Sequence, residues 1–435
     1  MTMGAPDTPT RTATRRFVAA VVLVGLAAGV TGWVCTRLLH LVEWLAYGMS
    51  RGTLLETVES VDPWRRVAAL VVAGLVGGIS WFLLYRSGRA PVRIADAVRG
   101  WHMPVVTTLW HALTQVVIVG LGASIGREVA PREAAAALAG WISDHLGLSA
   151  EDRRILVACG AGAGLAAVYS VPLSGAVFAL EVFLVRLSPR AVWPSLAVSG
   201  IAVLVAHGWG RTDPFYTVPT LRATLSLTVW ALVAGPLIGA LGHTFRRVVS
   251  DTEKRRPTDA RLLWVMPLAF TGVGLVAVWV PSVLGNGQAT AQTAFDALWD
   301  GPVGVGGLAT VGFLGLALVG VAKLATTLAT IRAGAWGGTL TPGIAMGACV
   351  GALTGMAWSQ VWPGTQVAAF ALIGAAAFLG TSMRAPFTAL VLVMEFTHQG
   401  STVLVPTVIA LGGAVAVATL LERRWTTAKI DAEDD

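Results

Sequence analysis

The decapeptide Gly122-Ala-Ser-Ile-Gly-Arg-Glu-Val-Ala-Pro131 sets two adjacent charges, Arg127 and Glu128, in a stretch that is otherwise small and apolar. If that stretch lies in lipid, an ionisable side chain there costs roughly 3 kcal/mol or more and marks an ion or proton pathway. Glycines ahead of a helix leave backbone N–H groups at its positive end, where partial charges hold an anion without trapping it. A carboxylate in the same place competes with the anion for that potential, and desolvation keeps its protonation adjustable. A second break, Gly334-Ala-Trp-Gly-Gly-Thr-Leu-Thr-Pro342, repeats the helix-opening glycines without the acid.

The elements that must carry these residues are membrane helices. The 435 residues are 55% hydrophobic and 13% charged, with a mean hydropathy of +0.70, which predicts an all-α polytopic membrane protein in the lipid bilayer. Apolar windows at 17–26, 67–84 and 262–280 supply helices that cross about 30 Å of hydrocarbon once locally extended. Windows at 107–122, 155–169, 173–184 and 386–396 are apolar but cut by Gly or Pro, the pattern of broken and re-entrant helices beside a polar pathway.

The net charge of +7 does not point to nucleic acid, because Lys and Arg gather in tails and short linkers, where they set orientation. Cys35, Cys159 and Cys349 have neither disulfide nor metal-ligand spacing, and no metal or cofactor is expected. Residues 1–16 contain Arg11, Arg15 and Arg16 and read as an uncleaved cytoplasmic tail. The Lys/Arg bias then runs inside, outside, inside over the first helices, and the basic linker from Arg246 to Arg261 is again cytoplasmic. This reading gives an inner (plasma) membrane protein with both termini in the cytoplasm.

Opposite senses for similar helices predict an inverted-topology repeat. The segment from Gly160 through Pro172 to Glu181 aligns without gaps, at an offset of 214, with that from Gly374 through Pro386 to Glu395. Gly122-Ala and Gly334-Ala recur at an offset of 212. The expected organisation is a tail at 1–16, half-repeats at 17–221 and 222–421, and a tail at 422–435.

Taken in order, these residues resemble the CLC chloride channels and proton-coupled anion exchangers, over approximately residues 17–421. Gly126-Arg-Glu-Val-Ala is similar to the family's Gly-Arg-Glu-Gly-Pro; Gly338-Thr-Leu-Thr-Pro342 resembles Gly-x-Phe-x-Pro; Gly100-Trp-His-Met-Pro104 resembles Gly-Ser-Gly-Ile-Pro. The resemblance implies transport of a small anion, chloride first, by a homodimer with one pathway per subunit. It implies that Glu128 gates, holding the outer anion position when ionised and leaving it when protonated. It further implies a central anion on the N–H groups of Thr339 and Leu340, and an outer one near Arg127 to Val129. The chain is not expected to be an enzyme.

Three departures qualify the pattern. Trp101 and His102 stand where the family has its serine, either as N–H donors to the anion or as an interfacial anchor and a solvated His. The family's late tyrosine has no match, the tyrosines here being Tyr47, Tyr85, Tyr169 and Tyr216. Val182 takes the place of the exchangers' inner proton-relay acid, next to Glu181, so proton coupling is expected to be weak or absent. Glu181 and its repeat mate Glu395 read as capping or paired groups. A fluoride/proton antiporter is the alternative, since that branch also alters the first motif and lacks the inner acid. Lys323 reads as the charge of an inner vestibule or as a snorkelling side chain. Some members append a cytoplasmic nucleotide-binding module; the sequence ends about 14 residues after Leu421, and none is expected. Gly122-x-Ser124-x-Gly126 also matches a hydrolase nucleophile turn, leaving an intramembrane serine hydrolase as a remote alternative that needs a preceding strand and a nearby His.

Overall fold

The structure, a computed structural model, describes residues 11–48, 54–209, 213–298 and 312–431. Arg51, residues 1–10 of the expected N-terminal tail, and Glu433, Asp434 and Asp435 of the C-terminal one lie outside them. The helices are α1 (Arg11–Tyr47), α2 (Leu54–Ser60), α3 (Pro63–Arg86), α4 (Ile94–Val98), α5 (Val105–Gly120) and α6 (Val129–His145). They continue as α7 (Ala150–Tyr169), α8 (Pro172–Phe178), α9 (Pro189–His207), α10 (Leu225–Lys254), α11 (Leu262–Trp279) and α12 (Gln288–Phe295). The last five are α13 (Phe313–Arg332), α14 (Leu340–Ser359), α15 (Val367–Ser382), α16 (Pro386–Thr397) and α17 (Leu404–Asp431).

Among the described residues eight helices are long and apolar enough to span a membrane, while α5, α15, α16 and the stretch 172–184 are shorter apolar helices. Helix α1 begins at Arg11 and α17 continues to Asp431, so both outer helices run past the expected tail boundaries. Starts are fixed locally: Asp62 accepts from the Trp64 N–H at 2.8 Å with Pro63 in the first turn of α3, and Thr224 accepts from the Leu227 N–H at 3.0 Å to open α10.

The chain forms two compact units. The first comprises residues 1–34, 91–110 and 131–211 and is built on α7, whose residues from Ile155 to Tyr169 are all buried. The second comprises 35–90, 111–130 and 212–435 and centres on α15, buried without interruption from Ala368 to Thr381. Small residues permit this density: a Cβ on Gly374 would strike the backbone of Gly347 and Gly351 on α14. The units do not follow the linear halves, because residues 35–90 and 111–130 fold with the second.

The duplication is visible in backbone geometry. Ser170 and Arg384, 214 positions apart, both adopt a left-handed φ, 59° and 55°, which is uncommon for residues other than Gly. The Val171 N–H donates to the Ala166 carbonyl at 3.2 Å, and the Ala385 N–H to the Gly380 carbonyl at 3.1 Å. Pro172 and Pro386 then start the next helix in each case. The breaks at an offset of 212 agree as closely: φ is 100° at Gly122 and 117° at Gly334. Their N–H groups donate to Val119 and Ile331 carbonyls, and the next residues, Ala123 and Ala335, donate to Ile118 and Thr330. One difference stands out, since 179–184 winds as a π-helix after α8 whereas α16 stays α-helical to Thr397.

Candidate functional site

Both Gly-rich breaks belong to the second unit, and there they pair. The Gly126 N–H donates to the Gly338 carbonyl at 2.8 Å and the Gly338 N–H returns a bond to Gly126 at 2.9 Å, an isolated antiparallel bridge between segments 212 residues apart. The bridge registers the residue before α6, Glu128, against the start of α14. Thr339 sits at the N-cap of α14 but its side chain makes no capping bond. Glu128 does so instead: Oε1 accepts from the Leu340 N–H at 2.9 Å, and Oε2 accepts from the Thr341 hydroxyl at 3.3 Å.

Glu128, Leu340 and Thr341 are buried. A carboxylate therefore occupies, away from water, the place where the positive end of α14 would attract an anion. Gly126 and Gly338 make the space: a Cβ on either would fall on the Glu128 carboxylate. The carboxylate therefore caps the start of α14 from across the bridge, in space that only glycine at both positions leaves open.

The resemblance implied a central anion on the Leu340 amide with Glu128 further out; in the structure that amide donates to the Glu128 carboxylate. Arg127 lies with its guanidinium 5.7 Å from the centre of the Phe215 ring. Val129 is the first residue of α6.

Trp101, His102 and Val182 fall in the first unit. Trp101 is exposed, and His102 is exposed beside Asp144, with Nδ1 3.5 Å from the carboxylate. Val182, in the π-helical stretch, lines a cavity of about 470 Å³ together with Val98, Arg99, Arg154 and Phe183.

Lys323 is fully buried on α13, which removes the snorkelling reading. Its Nζ donates to Ser124 Oγ at 2.9 Å, to the Val283 carbonyl at 2.9 Å and to the Gly285 carbonyl at 2.8 Å. Three donated bonds use all the protons of an ammonium, so the charge fastens the first break to the 283–285 segment. The hydrolase reading also loses its basis. Helix α5, not a strand, precedes Ser124, and the hydroxyl's partners are Thr326 at 3.0 Å, Thr327 at 3.3 Å and Lys323 at 2.9 Å, not the His such a site needs.

Sequence reasoning missed the Thr341 hydroxyl, the Lys323 fastening and the contact of the Tyr47 hydroxyl with the Leu121 carbonyl at 2.7 Å. Thr341 was legible in principle, as the polar residue one step beyond the assigned amides.

The profile of the voltage gated chloride channel family matches residues 75–419. The voltage-gated ClC-type chloride channel ClcB of Escherichia coli is 27% identical over 402 residues, covering 88% of this chain and 91% of that protein. A slow cyanobacterial Cl⁻/H⁺ antiporter has a similar structure, with a TM-score of 0.75 at 21% identity, over 94% of this chain and 97% of the other. A CLC-type fluoride/proton antiporter gives 0.74 at 18% identity, over 95% and 97%.

Proposed function

This chain belongs to the voltage-gated chloride channel family and moves small inorganic anions across a membrane; we propose that Glu128 closes its pathway when ionised and opens it when protonated. The bond from the Leu340 N–H to the Glu128 carboxylate is the observation that carries this reading. While charged, the carboxylate outcompetes a mobile halide because it is tethered and already desolvated. Once protonated, it holds the amide weakly, and an anion from solution takes the vacated potential.

Chloride is the preferred substrate in this proposal, carried by a homodimer with one pathway per copy, in an inner membrane with both termini cytoplasmic. Proton coupling is weak or absent, since Val182 offers no acid at the inner relay position. Fluoride/proton antiport is the second reading, favoured by the altered segment Gly100-Trp-His-Met-Pro104.

Isotopic anion flux into liposomes tests both. Wild-type flux rises as pH falls, by about tenfold per pH unit on the alkaline side of the midpoint, the slope of a single proton. Glu128→Gln removes that dependence, and a pH profile surviving in E128Q overturns the gate. Comparing chloride, fluoride and nitrate under an imposed pH gradient separates the two substrates; a reversal potential that moves with pH replaces the uncoupled reading by antiport.

A further inference from the structure

The last turns of α10 and α13, neighbours within the second unit, wall a cavity of about 460 Å³. Both helices are long and apolar enough to span a membrane, so their ends lie where the hydrocarbon gives way to headgroups. Along each helix the lining runs from apolar to basic. Val248 is followed by Thr252 and Arg255 on the first, and Leu328 and Ala329 by Arg332 on the second.

The apolar part of the lining continues two stripes that the protein leaves uncovered. Leu237, Leu241 and Val248 recur on one face of α10 and are exposed, as are Leu314, Leu318 and Val321 on α13. In a bilayer such stripes face acyl chains. The rise from Leu237 to Val248 is about 16 Å, close to the roughly 15 Å of hydrocarbon that one leaflet contributes.

Most of the cations at this end are engaged. Lys254 donates to Asp251 at 3.0 Å, Arg256 pairs with Glu253 at 3.1 Å, and Arg261 pairs with Asp259 at 3.0 Å. Arg255 and Arg332 make no ion pair among the described residues. The cavity wall has one acid, Asp251, which is already bonded to Lys254 and also lies in the field of Arg255. The Thr252 hydroxyl spends its proton on the Val248 carbonyl at 2.6 Å, which leaves the two guanidinium groups as the donors.

We propose that this cavity binds an anionic phospholipid, its phosphodiester held by Arg255 and Arg332 and its acyl chains laid along the exposed stripes of α10 and α13. A guanidinium fork matches two phosphate oxygens, and basic pockets between membrane helices suit such headgroups. A zwitterionic lipid offers the same phosphate but brings an ammonium toward two arginines, so the site prefers the anionic one.

Native mass spectrometry of the full chain in detergent, titrated with phosphatidylglycerol or phosphatidylcholine, tests this. The wild type is expected to retain phosphatidylglycerol about tenfold more tightly. Arg255→Gln and Arg332→Gln each weaken it about fivefold, the step for one cation at a lipid surface. Arg261→Gln removes a paired arginine at the same end and leaves retention unchanged. Ala329→Trp fills the cavity with both charges kept and lowers retention as far as R255Q does. All four positions are exposed, so the variants keep the fold. Equal retention of the two lipids, an R261Q loss matching that of R255Q, or an A329W without effect overturns the proposal. So does displacement by millimolar inorganic phosphate, which makes the site one for a free anion, or exclusion of lipid from a dimer that the monomer retains, which gives this face to a second copy.

Discussion

Glu128 and Lys323 are both fully buried, yet they hold their charges on different terms. Glu128 accepts from a backbone amide and from a hydroxyl at 3.3 Å, bonds that protonation weakens. Lys323 gives all three protons to fixed oxygens, two of them backbone carbonyls. Removing it strands those acceptors away from water. Lys323→Met is thus expected to destabilise the protein by about 2–4 kcal/mol, the cost of several buried polar groups left without partners. Thermal unfolding in detergent, followed by tryptophan fluorescence, checks this. An unchanged unfolding temperature would return Lys323 to the role of a vestibule charge. The sequence exposed the presence of the charge but not its use, because its partners are carbonyls at 283 and 285, and any residue type supplies a carbonyl.

At the scale of elements, two helix starts are brought into register by one pair of backbone bonds. The breaks were legible, since Gly122-Ala and Gly334-Ala punctuate apolar runs at a fixed offset and each opens a helix. Their pairing was not legible, because a bridge between Gly126 and Gly338 uses only main-chain groups and leaves no side-chain pattern. Glu128 at the cap of α14 was hidden for the related reason that its acceptor role spans 212 residues. The glycines make this pairing testable. In Gly338→Ala the new Cβ meets the far end of the Glu128 side chain, which can swing aside more cheaply than backbone can move. The expected result is a carboxylate displaced from the Leu340 amide, flux at neutral pH raised toward its acid level, and a flattened pH profile. A G338A profile as steep as wild type would mean that the carboxylate need not sit on this amide to close the path.

For the whole molecule, hydropathy and local repeats carried most of the fold into view, because lipid forces every backbone group to be satisfied within helices and leaves few alternatives. The recurrence of left-handed residues at Ser170 and Arg384 shows that the repeat extends to backbone detail. The grouping of residues 35–90 and 111–130 with the second half escaped the sequence, since a linear alignment carries no information on which copy a helix packs against. Orientation remains the claim that charge alone supports. Helix α2 and its junction with α3 are acidic, with Glu56, Glu59 and Asp62, whereas the end of α10 and the linker to α11 carry Lys254, Arg255, Arg256 and Arg261. If the basic side faces the cytoplasm, a cysteine at exposed Ser60 reacts with a membrane-impermeant thiol reagent on intact cells, in a background with Cys35, Cys159 and Cys349 replaced. A cysteine at exposed Thr258 reacts only after permeabilisation. The reverse labelling would invert the protein in its membrane and overturn the orientation read from charge.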